Sequence, residues 1–398
     1  MKPIIKSILD SDLYKFSMQH AIIKLFPRAK VRYSFILRSK VDFPENFAKE
    51  LREQIILMSD LRLTLEEKKF FAEKCQYIDP TYFDFLMGYR YDPSEVGIIQ
   101  NGGELQLNIE GYWFRTVLWE VPLLALISEL YFKMTKIKEK EFTQYYSENQ
   151  RHENNEKKAA IFNYSNITVT DFGTRRRYSF EIQREMVEDL KTRMRKELFP
   201  GTSNVYLAFL YDLTPIGTEA HEWFMFHGAK YGFQQANELG LKHWADVYQG
   251  DLGTALCDTF TTDSFLKSFG KKYAKLYDGV RQDSGDVYEF ATKVIDNYKK
   301  LGIDPLSKTI IFSDSLDPIK AREINDWCNG QIKCSFGIGT NLSNDVGVTP
   351  LNMVIKMSAA KPTAENEWIP TIKLSDTEGK HTGDAKMIET CGYVLNIK

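Results

Sequence analysis

The chain has 398 residues, long enough for two domains or one large barrel with additions. Its 43% hydrophobic and 27% charged residues are ordinary for a globular protein, and a formal net charge of −2 gives no electrostatic reason to expect a nucleic-acid partner. The cysteines, Cys75, Cys257, Cys328, Cys334 and Cys391, are scattered and odd in number with no Cys-x-x-Cys, which predicts free thiols in a reducing cytoplasm and argues against disulfides or a zinc site.

Residues 1–12 hold no apolar core of signal-peptide length. Asp10-Ser11-Asp12 reads as an N-cap for a helix over 13–25, whose apolar side is Leu13, Phe16, Ile22 and Leu25. Val31, Tyr33, Phe35 and Leu37 alternate with polar residues, predicting a half-buried strand. Charged amphipathic helices follow near 45–58 and 64–75, then a second alternating strand at Leu105, Leu107 and Ile109. The most apolar segment, 117–132, is broken by Glu120 and Glu129 and predicts a buried helix, not a membrane span.

After about residue 135 the rhythm changes to short apolar strands ending in polar turns, with helices between them. Candidate strands are 167–170, 215–218, 255–259, 279–281, 309–312, 333–336 and 352–356, with helices such as 286–301 and 318–328. Repeated strand–helix units imply a parallel sheet, and about seven of them favour a closed barrel, distorted by the irregular spacing. The polar tail from about Pro362 is expected to return to the first domain. These features predict an α/β architecture: an N-terminal α+β domain over 1–135, an irregular TIM-like barrel over 136–360, and a tail over 361–398 that completes the first domain.

Four constellations could carry chemistry. His221, in Gly217-Thr218-Glu219-Ala220-His221-Glu222, is either a capping or core histidine or a nucleophile that needs a carboxylate to set its tautomer; Asp251 is the candidate partner. His221 and His227 are six apart, which fails the zinc spacing His-Glu-x-x-His. In Asp171-Phe172-Gly173-Thr174-Arg175-Arg176-Arg177 a basic run follows a strand end, where arginine opposes the helix dipole unless an anion sits there, and Phe172 could stack on a flat ring. Arg281, Asp283 and Asp286 form either a structural ion pair or a ribose-hydroxyl site, which Asp314, between Ser313 and Ser315, could share. Gly337-Ile338-Gly339-Thr340 follows one of the last strands, where barrels commonly bind phosphate through loop amides and a short helix N-terminus.

Together the motifs Thr170–Arg177, Gly201-Thr202-Ser203-Asn204, Gly217–Glu222, Arg281-Gln282-Asp283-Ser284-Gly285-Asp286 and Gly379-Lys380-His381-Thr382-Gly383-Asp384 make the chain resemble the bacterial nicotinate phosphoribosyltransferase family over nearly its full length. The resemblance implies a type II phosphoribosyltransferase that forms nicotinate mononucleotide and pyrophosphate from nicotinate and phosphoribosyl pyrophosphate. ATP hydrolysis would be coupled through a phosphohistidine, with magnesium on the pyrophosphate and no dedicated metal cage. His221 would be the phosphorylated residue and Asp251 its orienting partner. Phe172 would stack on the pyridine, and Tyr14 would cover the other face from the second subunit of a homodimer. Arg281 and Arg175 would hold phosphate or carboxylate oxygens, and Ser203 would lie near the base. Asp283 and Asp314 would take the ribose hydroxyls, Gly337, Gly339 and Thr340 the 5′-phosphate, and Lys373 and Lys380 the polyphosphate. The nearest rival keeps this fold and chemistry on nicotinamide or quinolinate. A barrel aldolase would want a strand-end lysine, for which Lys356 is the candidate, more readily read as structural or phosphate-linked.

Overall fold

A computed structural model describes residues 2–138, 147–377 and 380–397; Gly379 of the C-terminal motif lies outside the described residues. The first predicted helix forms as Leu13–Leu25. Asp12 stands at its N-cap position but makes no capping bond, because its Oδ1 accepts from Ser203 Oγ at 2.8 Å instead. The next predicted helices form as Phe47–Met58 and Leu65–Lys74, the latter opened by a capping box between Thr64 and Glu67. The alternating segments become β1 (Lys30–Leu37) and β3 (Glu104–Tyr112), which pair antiparallel with Tyr33 opposite Ile109. Sequence periodicity missed β2 (Val96–Asn101), an edge strand that pairs with β3 through a turn where Gly102 adopts φ +58°.

The second half supplies β4 (Val169–Asp171), β5 (Gly201–Thr202), β6 (Thr214–Pro215), β7 (Gln249–Leu252), β8 (Thr254–Leu256), β9 (Gly279–Gln282), β10 (Thr309–Phe312) and β11 (Lys333–Ile338). All but β7 join one parallel seven-stranded sheet in the order β6-β5-β4-β11-β10-β9-β8. Helices cover the crossovers, as parallel strands require. The sheet curls into an irregular barrel whose edges, β6 and β8, share no ladder. Across that seam the Leu256 N–H donates to the buried side chain of Glu219 at 3.2 Å.

The predicted strand at 352–356 is not a barrel strand. It is the start of β12 (Met353–Lys361), which lies antiparallel to β1 and carries β13 (Ile369–Pro370) at its far edge. The physical reason is its alternating burial over a long run, which suits one buried face better than the all-round burial of a parallel strand. The tail divides its contacts. β13 joins the antiparallel sheet, whereas the backbone of Leu374 and Ser375 bonds to Thr259 and Asp258 beside the barrel, and the helix Ala385–Leu395 packs on the helix Phe233–Tyr248.

Buried contacts lock the halves together. Arg177 and Asp10, both fully buried, form a two-pronged ion pair at 2.6 and 2.9 Å, with Asn204 Nδ2 also donating to Asp10. An aromatic wall of Phe26, Trp113, Trp223 and Phe226 fills another contact. The segment 117–132 is buried apart from the half-buried Tyr131, its first three residues in a turn and the rest in the helix Glu120–Lys138, and among the described residues no helix is long and apolar enough to cross a membrane. All five cysteines are free.

Candidate active site

Parallel strands that curl into a barrel bring their C-terminal ends to one face. Phe172 follows β4, His221 comes after β6, Asp258 and Thr259 follow β8, Asp283 follows β9, Ser313 and Asp314 follow β10, and Gly339 follows β11. The antiparallel sheet faces these ends through Tyr33 of β1 and Lys356 of β12, and the backbone-bridged Lys373 and Thr382 close a third side. Between them lies a cavity of about 410 Å³. Its wall includes His221, Tyr14, Phe172, Arg175, Arg281, Asp283, Asp314, Gly337, Gly339, Thr340, Lys373 and Lys380.

His221 opens the helix His221–Tyr231 and is buried. Its Nε2 lies 2.8 Å from Asp283 Oδ2 and 2.8 Å from Lys373 Nζ; its Nδ1 lies 3.2 Å from Thr259 Oγ1 and 3.6 Å from Asp258 Oδ1. Both neutral tautomers are therefore satisfied. Nε2–H can donate to Asp283 while Thr259 donates to Nδ1, or Lys373 can donate to Nε2 while Nδ1–H donates to Thr259. Burial, reinforced by the Lys373 cation, pushes the imidazole down to about 4 against the pull of Asp258 and Asp283. Burial raises the Asp283 carboxyl, but the His221 hydrogen bond, Arg281 and Lys373 outweigh it and hold Asp283 well below the usual carboxylate range. Nε2 is the nitrogen turned to the cavity, because its neighbours Asp283 and Lys373 line it.

Behind the histidine, Glu222 accepts from Tyr33 Oη at 2.6 Å and from the buried ammonium of Lys15, which also holds Glu120 at 2.6 Å. Glu120 in turn lies 3.7 Å from Arg175 Nη1. The basic run after Phe172 splits: Arg175 and Arg176 line the cavity, whereas Arg177 turns away into its pair with Asp10. Arg281 donates from Nη1 to the Glu219 carbonyl at 3.3 Å, and its buried Nε finds no partner among the described residues. Phe172 lies against Gly337, where a side chain would collide with the ring. That packing explains the first glycine of Gly-x-Gly. Gly339 leads into the helical turn Thr340–Ser343. Lys380 donates to Asp314 at 3.3 Å.

Among the described residues, seven cationic side chains line the cavity: Arg38, Arg175, Arg176, Arg281, Lys356, Lys373 and Lys380. Facing them are Glu120, Glu222, Asp283 and Asp314, together with Glu219, which burial pushes up to about 8. The balance suits a polyanion. Burial and then Lys373 lower Lys356 to about 8. Among the described residues the one three-ligand cluster is His221, Asp258 and Asp283. Lys373 Nζ stands within it, 3.0 Å from Asp258 Oδ2, so a dication there would meet a like charge.

Two expected residues fall elsewhere. Asp251 does not orient His221. It is exposed on β7, ahead of β8, while His221 lies beyond the opposite, C-terminal ends of the strands. The carboxylates beside the ring are instead those of Asp258 and Asp283. Asp258 was legible, since it directly follows the apolar run Ala255-Leu256-Cys257 at the end of β8, as Asp283 directly follows β9. Ser203 does not line the cavity: its hydroxyl is committed to Asp12, and its carbonyl accepts from Leu13 N–H at 2.7 Å. Tyr14, expected from a second subunit, reaches the cavity from the same chain as Phe172, so its presence there does not by itself require a dimer.

The family model described as the nicotinate phosphoribosyltransferase (NAPRTase) family matches residues 167–397, and that for the NAPRTase N-terminal domain matches residues 9–128. Nicotinate phosphoribosyltransferase of Chromohalobacter salexigens is 52% identical over 394 residues, covering 99% of each chain. That of Desulforapulum autotrophicum is 49% identical over 392 residues, covering 98% of this chain and 99% of the relative. The crystal structure of nicotinate phosphoribosyltransferase from Porphyromonas gingivalis superposes with a TM-score of 0.95 at 45% identity, covering 99% of this chain and 100% of that one.

Proposed function

The chain belongs to the nicotinate phosphoribosyltransferase family, and from that premise we propose that it joins nicotinate to phosphoribosyl pyrophosphate, forming nicotinate mononucleotide and pyrophosphate in the first step of NAD salvage from nicotinate. Within the family framework, the observation that carries the reading is the convergence of Phe172, Arg281, Asp283 and the Gly337–Thr340 loop on one cationic cavity at the strand ends.

The pyridine lies between Phe172 and Tyr14, with its carboxylate on the guanidinium groups of Arg281 and Arg175, which match a carboxylate's geometry. Asp283 and Asp314 take the ribose hydroxyls, and the backbone at Gly337, Gly339 and Thr340 takes the 5′-phosphate. The pyrophosphate rests against Lys373 and Lys380, joined by Arg176 and Lys356, for which the sequence already suggested an anion, and by Arg38, for which it did not. As the C1–O bond to pyrophosphate breaks, positive charge develops on the ribose and the pyridine nitrogen bonds to C1, so positioning and electrostatics carry the catalysis. Magnesium, when bound on the pyrophosphate, supplies charge neutralisation of the leaving group; Asp283 and Asp314 are the cavity carboxylates that would hold its waters, and the Lys373-filled cluster fits no resident ion.

His221 is the site of ATP coupling. Its Nε2 bonds to the γ-phosphorus as the bond to the ADP oxygen breaks, and water later cleaves the N–P bond to release phosphate. The added charge beside Lys373 tightens the site for substrates without carrying the ribosyl group. A neutral nucleophile is required, and the buried ring meets that need: His221 is expected to take up its proton near pH 4, where an ordinary imidazole does so near 6.5. Histidine-ring NMR across pH 3–8 checks this, and a titration at the ordinary value would remove the basis for an acid-tolerant nucleophile.

A homodimer is part of this reading, as is a cytoplasmic setting, which the five free cysteines support. The direct test supplies phosphoribosyl pyrophosphate and magnesium with nicotinate, nicotinamide or quinolinate, each with and without ATP. Nicotinate mononucleotide from nicotinate, faster with ATP, is the expected result. Turnover with another pyridine alone would overturn the substrate assignment.

A further inference from the structure

Glu219 is fully buried on the cavity wall and ties together strands that the backbone leaves apart. On the open edge of the barrel, the buried Leu256 N–H has no ladder partner; it donates to Glu219 Oε1 at 3.2 Å. A buried N–H left unpaired is costly, so this side chain replaces a missing sheet bond. The Glu219 carbonyl also accepts from Arg281 of β9, the residue opposite Leu256 in the next ladder. Glu219 Oε2 has no partner among the described residues.

The position is informative. Glu219 stands two residues before His221, and Leu256 stands two residues before Asp258 and three before Thr259. The groups that flank the bond are therefore those that meet at His221 Nδ1, at 3.2 Å for Thr259 and 3.6 Å for Asp258. We propose that Glu219 is a positioning residue whose side chain closes the barrel seam between β6 and β8 beside His221 and so sets the spacing between His221 and the Asp258–Thr259 pair. Burial that favours the neutral acid is consistent with this role, since the protonated group keeps its Oε1 acceptor.

The inference rests on the ATP-coupling reading of His221 for one of its two measurements. In the full-length enzyme, Glu219→Gln keeps an oxygen at the Oε1 position, Glu219→Asp shortens the reach, and Glu219→Ala removes it. The ratio of ATP-driven to ATP-independent turnover is expected to fall about tenfold in the Ala and Asp variants and to recover in the Gln variant. In parallel, ring NMR should show the His221 titration falling below its wild-type value of about 4 in the Ala and Asp variants, because the Asp258 carboxylate that pulls it up recedes from Nδ1, and returning with Gln. An unchanged titration in Glu219→Asp, or a Gln variant as defective as Ala, would overturn the proposal. Should Glu219→Ala not fold, the Asp–Gln comparison still decides it. Should the wild type show no ATP stimulation, the phosphohistidine reading fails, and the NMR comparison alone tests Glu219.

Discussion

His221→Ala is expected to abolish ATP stimulation while leaving slow ATP-independent transfer. The ring does not touch ribose C1 in the proposed chemistry; it receives phosphoryl charge beside Lys373 and Asp283, which line the substrate cavity. Removing it takes away a preorganised electrostatic contribution, which in enclosed sites changes rate by about two to three orders of magnitude. Accordingly kcat/KM in the presence of ATP should fall by roughly that factor, to the level reached without ATP. Phe172, Arg281 and the Gly337–Thr340 loop stay in place in the variant, which is why transfer does not vanish. The check is steady-state kinetics with and without ATP, together with acid-labile phosphate on the wild type. ATP stimulation that survives in His221→Ala would remove the histidine from the mechanism.

Arg177→Ala should produce the largest loss of stability of any single substitution in the basic run. Arg177 and Asp10 are both fully buried and bonded at 2.6 and 2.9 Å, in a polar cluster with Asn204 and Gln183. Removing the guanidinium leaves the Asp10 carboxylate buried without its cation, a defect that costs about 3–5 kcal/mol. Arg175→Ala, on the half-exposed cavity wall, should instead act on substrate binding with little loss of stability. Replacing both members of the pair with apolar residues should recover part of the loss, because no lone charge remains. Urea unfolding of the two single variants and of Asp10→Leu/Arg177→Met distinguishes these outcomes. Equal destabilisation by Arg175→Ala and Arg177→Ala would contradict the division of roles.

That division shows where sequence reading reaches its limit. Arg175, Arg176 and Arg177 are indistinguishable as a basic run, and the anion-site reading applied to all three. It holds as geometry for Arg175 and Arg176 alone, because the third guanidinium meets Asp10, which lies far away in the chain. The same limit explains Asp251 and Asp258. The distance along the chain to His221 does not say which end of the barrel a carboxylate occupies. The strand-end rule, which brings Phe172, Asp283, Asp314 and Gly339 to the cavity, would have selected Asp258 had the strand been bounded at Leu256.

Local physics was sufficient for the helices Leu13–Leu25 and Leu65–Lys74, for β1, β3 and β10, and for the assignment of a parallel barrel with polar strand ends. Those features depend on periodicity, capping and turn chemistry within a short window, which the sequence by itself determined. The motifs determined the family in the same way. The antiparallel placement of β12, the open seam bridged by Glu219, the burial of Arg177 and the partners of His221 were decided only by the tertiary structure. Each depends on groups distant in sequence that pair only once the sheet has curled and desolvated them, and burial is what converts such pairings into large free energies.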